Sequence, residues 1–168
     1  MPGILEKQVE KYLDNVLPKR DALLAEMERY ARKNDVPIIG PACGRLLYLL
    51  TQISGARRIF EMGSAIGYST LWFARAAGPQ AEIFYTDSDP SNAARARRNL
   101  ERAGVAERVQ FLIGDAIEQF DATSGDFDVI FIDIFKPQYP EALRKALPRL
   151  RSGGLLIADR KSTRLNSS

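Results

Sequence analysis

The spacing of apolar residues along this chain changes character near Gly55. Before that point Ile4, Val9, Leu13, Val16 and Leu17, and then Leu23, Leu24, Met27 and Tyr30, recur at the spacing of one helix face. They predict helices over 4–17 and 20–33, separated at Pro18, with Asp21 capping the second. NDVPIIGPACG (34–44), with its prolines and glycines, reads as a loop, and a helix resumes over about 42–54 and stops near Gly55. From residue 57 onward, short apolar runs take turns with helical patterns. RRIFEMG (57–63), AEIFYTD (81–87), VQFLIGD (109–115), FDVIFID (127–133) and GGLLIAD (153–159) read as strands. YSTLWFARAAG (68–78), PSNAARARRNLERAG (90–104) and YPEALRKALPRL (139–150) read as helices. Ser69 or Thr70 would start the first of these and Gly78 stop it; Pro90 opens the second and Gly104 closes it. This alternation means βαβ units and a parallel sheet covered by helices on both faces. A nearly unbroken apolar run such as Val129–Ile132 suits a strand buried on both sides.

Composition narrows the class. A chain of 168 residues, 45% hydrophobic and 27% charged, is one globular domain with room for a core. No apolar run approaches the ~18 residues of a membrane span, and MPGILEKQVEKYLDN mixes charged and apolar residues unlike a signal peptide. The single cysteine, Cys43, allows no internal disulfide, so a cytoplasmic protein without membrane partners is expected. The absence of histidine removes histidine-based triads and histidine-ligated metals. The net charge is +3, but the final ten residues, DRKSTRLNSS, contribute +2 of it, so no nucleic-acid partner is expected. Arg95, Arg97, Arg98 and Arg102 are spaced by alanines and read as a solvated helix face rather than a phosphate-binding stripe.

Open parallel sheets bind ligands beyond the carboxyl ends of their strands, where strand order reverses. Glu61, Gly63 and Gly67 follow the first expected strand; the glycines allow a sharp turn and close ligand approach, although a plain strand-to-helix turn would use them too. The spacing is G-x-x-x-G, with Ala65 where the dinucleotide motif needs its middle glycine. Asp87 ends the next strand, where a carboxylate accepts from ribose hydroxyls. The nearby Asp89-Pro90 reads equally well as a helix start. Gly114-Asp115-Ala116 suits an adenine edge, or else Asp115 is a helix cap. Three acidic strand ends disfavour a pyrophosphate, which wants N–H groups and positive charge, and suit a sulfonium nucleoside better than NAD. Asp133 closes the fourth strand and Lys136 lies just beyond it. They are either a surface ion pair of little worth or a hard-cation ligand beside a general base. In the second case the cation would acidify a bound phenol and favour the neutral amine of Lys136.

With VPIIGPACGRLLYLL, RRIFEMGSAIGYSTLWFARA, FYTDSDP, VQFLIGDA, FIDIFKPQYPEAL and GGLLIAD taken together, the chain resembles the metal-dependent, catechol-type S-adenosylmethionine (SAM) O-methyltransferases over residues 1–159, most of all their bacterial small-molecule members. The resemblance implies a class I, Rossmann-like methyltransferase fold with an N-terminal helical cap over residues 1–54. It implies that Glu61, Gly63, Tyr68 and Ser69 surround the methionine and ribose of SAM, and that Ile39 and Gly40 meet the methionine carboxylate through backbone groups. It places Asp87 on the ribose, Asp115 and Ala116 on the adenine, Asp133 on the cofactor side and as first metal ligand, and Lys136 as the base. The implied reaction is in-line methyl transfer to a hydroxyl of a small hydroxylated aromatic, with the N-terminal helices helping to build a homodimer. An oxygen-only site favours Mg²⁺ over Ca²⁺ or Mn²⁺.

Two departures qualify this. Phe135 stands where bacterial relatives often carry an acid, and the second metal ligand, Asp159, is followed by Arg160 in place of the family's Asn, an arginine that cannot ligate a cation. Residues 159–168 match the in-frame translation of a common sequencing-adapter string. The expectation is therefore a methyltransferase domain over 1–158 lacking its C-terminal strands, followed by an artefactual tail, poorly soluble and inactive if made. A catalytically dead SAM-binding fragment is the second reading. An NAD-dependent oxidoreductase and a nucleic-acid methyltransferase follow, the former disfavoured by the glycine spacing and the latter by the charge and the lack of a base-flipping motif.

Overall fold

A computed structural model describes residues 7–159. The helices and strands run in the order α1 (Lys7–Val16), α2 (Ala22–Lys33), α3 (Pro41–Ser54), β1 (Arg58–Met62), α4 (Tyr68–Ala77), β2 (Glu82–Asp87), α5 (Pro90–Arg102), β3 (Val109–Ile113), α6 (Ala116–Ala122), β4 (Phe127–Ile132), α7 (Tyr139–Ala146) and β5 (Leu150–Ala158). Local chemistry sets most boundaries. The Asp21 carboxylate accepts from the Leu24 N–H at 2.9 Å and starts α2. Asp89 does the same for α5 through Ser91. Gly55, at φ 62°, closes α3 in the left-handed conformation.

Four expectations are corrected. Helix α3 begins at Pro41, inside the expected loop, because proline's fixed φ suits the first helical position. Helix α4 is not started by Ser69 or Thr70: Gly67, at φ 79°, precedes it, and both hydroxyls turn to Glu61 instead. Helix α6, seven residues long, was not foreseen; so short a segment shows no periodicity, and only its cap Asp115 announced it. Strand β5 starts at Leu150 rather than Gly153, since its register with β4 shifts between Phe127 and Val129 and bulges over the intervening residues.

The sheet is parallel throughout, in the order β3-β2-β1-β4-β5. Crossovers through α4 and α5 build outward from β1; the chain then returns to the other side of β1, so order reverses between β1 and β4. Side chains alternate across β1. Ile59 faces a core shared with Leu24, Met27, Leu47, Leu71 and Phe73 from α2, α3 and α4. Phe60 and Met62 face a second core with Phe120, Ala142 and Ala146 from α6 and α7. Glu61 shares the Ile59 face by the same alternation and is fully buried against α4. Three of the four arginines of α5 contact the protein: Arg95 lies over the Tyr30 ring, Arg97 over Phe111, and Arg102 holds Glu26 through two hydrogen bonds, while Arg98 is exposed. Among the described residues no helix is long and apolar enough to cross a membrane.

Candidate active site

The switch between β1 and β4 brings the candidate residues to one edge of the sheet. Gly63 is the hinge of this region. Its φ is +84°, and a Cβ there would stand 2.3 Å from the Asp133 carbonyl oxygen, so only glycine lets the ends of β1 and β4 close together. Its N–H donates to the Thr86 hydroxyl at 3.1 Å, and the Ser64 N–H donates to the Thr86 carbonyl at 2.9 Å, which folds the glycine loop over β2. Ala65 takes φ +44°, so the residue in the middle-glycine position adopts a glycine-like conformation despite its Cβ.

Two clefts share Gly63. The first, of about 250 Å³, is walled by Gly63, Asp87, Asp115, Ala116, Phe135 and Gln138. Asp87 holds the glycine loop, accepting from the Ala65 N–H at 2.9 Å and from the Asp89 N–H at 2.8 Å. Asp115 is a helix cap: one carboxylate oxygen accepts from the Ile117 and Glu118 N–H groups, while the other accepts from the Gln138 side chain at 3.1 Å and faces the cleft. The Gly114 N–H is taken by the Asp87 carbonyl. The second cleft lies between Pro37, Ile38 and Ile39 on one side and Ala65, Tyr68, Ser69 and Asp133 on the other. Gly40 lies outside both, on a larger groove of about 550 Å³ beside Ile39.

Glu61 departs from the expected picture. It lines neither cleft, and its oxygens accept from the Ser69 and Thr70 hydroxyls, the latter at 2.5 Å. Burial pushes its carboxyl up to about 7, against the opposing pull of those hydrogen bonds. It therefore anchors α4 beneath the glycine loop; an acid ending a strand announces a polar partner but not which face it takes.

Asp133 and Asp159 follow the ends of adjacent strands. The Asp133 N–H donates to the Met62 carbonyl and the Asp159 N–H to the Ile132 carbonyl, so the ladder carries both to the same rim. Lys136 is exposed on the short turn Lys136–Gln138 just beyond. Among the described residues no group of three or more metal-capable side chains forms. Arg160 lies outside the described residues. Two residues escaped the sequence reading. Tyr139 donates its hydroxyl to the Asp159 carbonyl, and burial, with the charges of Asp133 and Asp159, pushes that hydroxyl up to about 12. Gln138 orients Asp115. Both stand in FKPQYP, and a polar residue followed by a tyrosine at a helix start carried no spacing signal.

Comparison with known proteins follows the same lines. The model of the O-methyltransferase family matches residues 16–162. A catechol O-methyltransferase of Niastella koreensis is 38% identical over 91% of this chain and 72% of that protein. A catechol O-methyltransferase of Mycobacterium tuberculosis is 35% identical over 90% of the chain and 70% of its own length. Among solved structures, an O-methyltransferase of Bacillus cereus in complex with SAH superimposes with a TM-score of 0.83 at 34% identity, covering 90% of this chain and 72% of that one. The O-methyltransferase of Streptomyces achromogenes involved in tomaymycin synthesis, in complex with SAM, gives 0.83 at 33%, covering 90% and 71%. With a parallel sheet reversing at β1 and β4, a glycine loop at that reversal and relatives of this closeness, the chain belongs to the SAM-dependent O-methyltransferase family.

Proposed function

We propose that this chain transfers the methyl group of SAM to a hydroxyl of a small catechol-like or phenolic acceptor, assisted by a divalent cation, Mg²⁺. The observation that carries this reading is that Asp133 and Asp159 follow the ends of the paired strands β4 and β5, Asp133 lining the second cleft and Lys136 standing three residues beyond it on the turn Lys136–Gln138. Carboxylates Asp87 and Asp115 flank the first cleft, for a hydroxyl-rich nucleoside, and Ser69 and Asp133 flank the second, for a methionine; at about 10 Å³ the second must widen when the methionine enters. Mg²⁺ is commonly held by one or two carboxylates with substrate oxygens and water completing its shell, so Asp133 and Asp159 fit as a two-donor site. Bound there, SAM supplies an electrophilic methyl on a sulfonium, and the cation supplies positive charge that acidifies an acceptor hydroxyl. Ile38 and Ile39 form one wall of the second cleft, and Lys136, as the neutral amine, would take the acceptor's proton.

The test is methyl transfer from SAM to catechol with Mg²⁺ or with EDTA. Lys136→Met should cut kcat by about 100-fold or more while leaving S-adenosylhomocysteine affinity in place. Cofactor binding equal with and without the cation, and no transfer to any hydroxyl, would support the second reading, a SAM binder without catalysis. That reading is favoured by Arg160, which puts a positive charge beside Asp159 in the sequence.

The partner expected for such an enzyme is a second copy of the chain. Helix α1 packs against α3, and both leave apolar side chains exposed at one-face spacing: Val9, Tyr12 and Val16 on the first, Leu46, Leu49 and Ile53 on the second. Two such stripes meeting their own copies across a twofold axis would be buried together.

A further inference from the structure

A buried carboxylate outside the clefts has a place in the site. Glu28, on α2, is 5% exposed. The Arg20 guanidinium donates to it through Nε at 3.0 Å and Nη2 at 3.2 Å, and the Tyr68 hydroxyl donates to its Oε1 at 2.8 Å. Tyr68 is the first residue of α4, directly after the glycine loop, and its other side walls the narrower cleft. Helix α2 leads into the segment that forms the opposite wall. The Val36 N–H donates to the Ala31 carbonyl on α2, Asp35 turns the chain at φ 52°, and Pro37, Ile38 and Ile39 follow against Ala65, Tyr68 and Ser69. One hydrogen bond therefore spans the elements that carry the two walls.

We infer that Glu28 is a positioning residue for the methionine half of the cofactor: through the Tyr68 hydroxyl it sets the distance between the 37–39 wall and the glycine loop. The inference rests on the SAM-binding reading of these clefts. A buried ion pair is a weak source of stability, since apolar packing of the same volume often does as well or better, whereas a fully hydrogen-bonded one holds a single geometry. Arg20 offsets the charge of Glu28 and leaves the carboxylate able to take the tyrosine hydroxyl as a further partner. Glu28 and Arg20 line neither of the clefts that share Gly63; they line the larger groove on the other side of Ile39 and Gly40, and reach the narrower cleft through Tyr68 and through the loop that α2 carries.

The experiment is calorimetric titration of the whole chain with S-adenosylhomocysteine and, separately, with adenosine, which lacks the methionine half. It compares the parent, Tyr68→Phe, Glu28→Gln and the double variant, each checked for native circular dichroism. Each single variant should bind S-adenosylhomocysteine about tenfold more weakly, the size of one lost hydrogen bond to a charged group, with the double variant no weaker than the singles. Adenosine affinity should stay within about twofold, because Asp87 and Asp115 lie beyond the strut. Singles that bind S-adenosylhomocysteine like the parent, losses that add in the double variant, or parallel losses for both ligands would overturn the positioning role. If Glu28→Gln does not fold, Tyr68→Phe alone decides, since it keeps the Arg20–Glu28 pair. A folded parent that binds neither ligand overturns the SAM-site reading itself, and this inference with it.

Discussion

Gly63 and Glu61 stand two positions apart and are constrained in opposite ways. Gly63 is held by backbone: at φ +84°, with the Asp133 carbonyl where a Cβ would go, any side chain must push β1 and β4 apart. Gly63→Ala should cost ~2 kcal/mol or more, from strain and overpacking together, and should abolish S-adenosylhomocysteine binding; urea denaturation and titration check the two effects. Glu61 is held by burial. Folded, it keeps its proton up to about 7, while an unfolded glutamate releases it near 4.5. The folded state therefore binds more protons in that window, and stability falls as pH rises from about 4.5 to about 7, with no further change from this group on either side. Denaturation midpoints measured in EDTA should show this slope in the parent and a weaker one in Glu61→Gln, which mimics the neutral acid. Equal slopes would mean that Glu61 does not titrate there.

At the scale of elements, several site residues also terminate helices. Asp115 starts α6 with one oxygen and faces the cleft with the other; Asp87 holds the glycine loop from the end of β2. The two readings of Asp115 left open by the sequence, cap and adenine contact, are therefore compatible in space. Asp115→Ala should destabilise the fold by about 1 kcal/mol, the usual value of a lost cap, while Asp115→Asn, itself a good cap, should keep most of that stability. If the carboxylate also contacts adenine, both variants should weaken adenosine binding; unchanged binding in Asp115→Asn would leave it a cap alone. The expected start of α4 at Ser69 or Thr70 failed for a related reason. Hydroxyls early in a helix read as caps, but here the buried Glu61 side chain on the neighbouring strand gives each of them an acceptor oxygen.

For the molecule as a whole, a buried apolar core lies on either face of the sheet, and the exposed large apolar residues concentrate on α1 and α3 among the described residues. If a second copy covers this surface, Ile53→Glu, at a site 83% exposed, should leave the fold intact and shift sedimentation toward the monomer. A parent that already sediments as a monomer would exclude that use. The rim that carries Asp133 and Gly63 depends on the same global arrangement, since β4 lies beside β1 only because the chain crosses back over β1.

The alternation of apolar runs with helical patterns was enough to establish a parallel α/β sheet, because period and run length are local properties that every strand and helix carries in its own residues. The acidic strand ends followed from the same pattern, as did the glycine turn, since in a parallel sheet every strand ends at the same edge. Partners could not be read this way. That Glu61 turns inward to Ser69 and Thr70, that Tyr68 reaches back to Glu28 forty residues earlier, and that Gln138 and Tyr139 support Asp115 and Asp159 are contacts between distant segments. Such contacts depend on which face each strand turns to each helix and on the reversal between β1 and β4. Those are properties of the packed molecule, and no spacing along the chain encodes them.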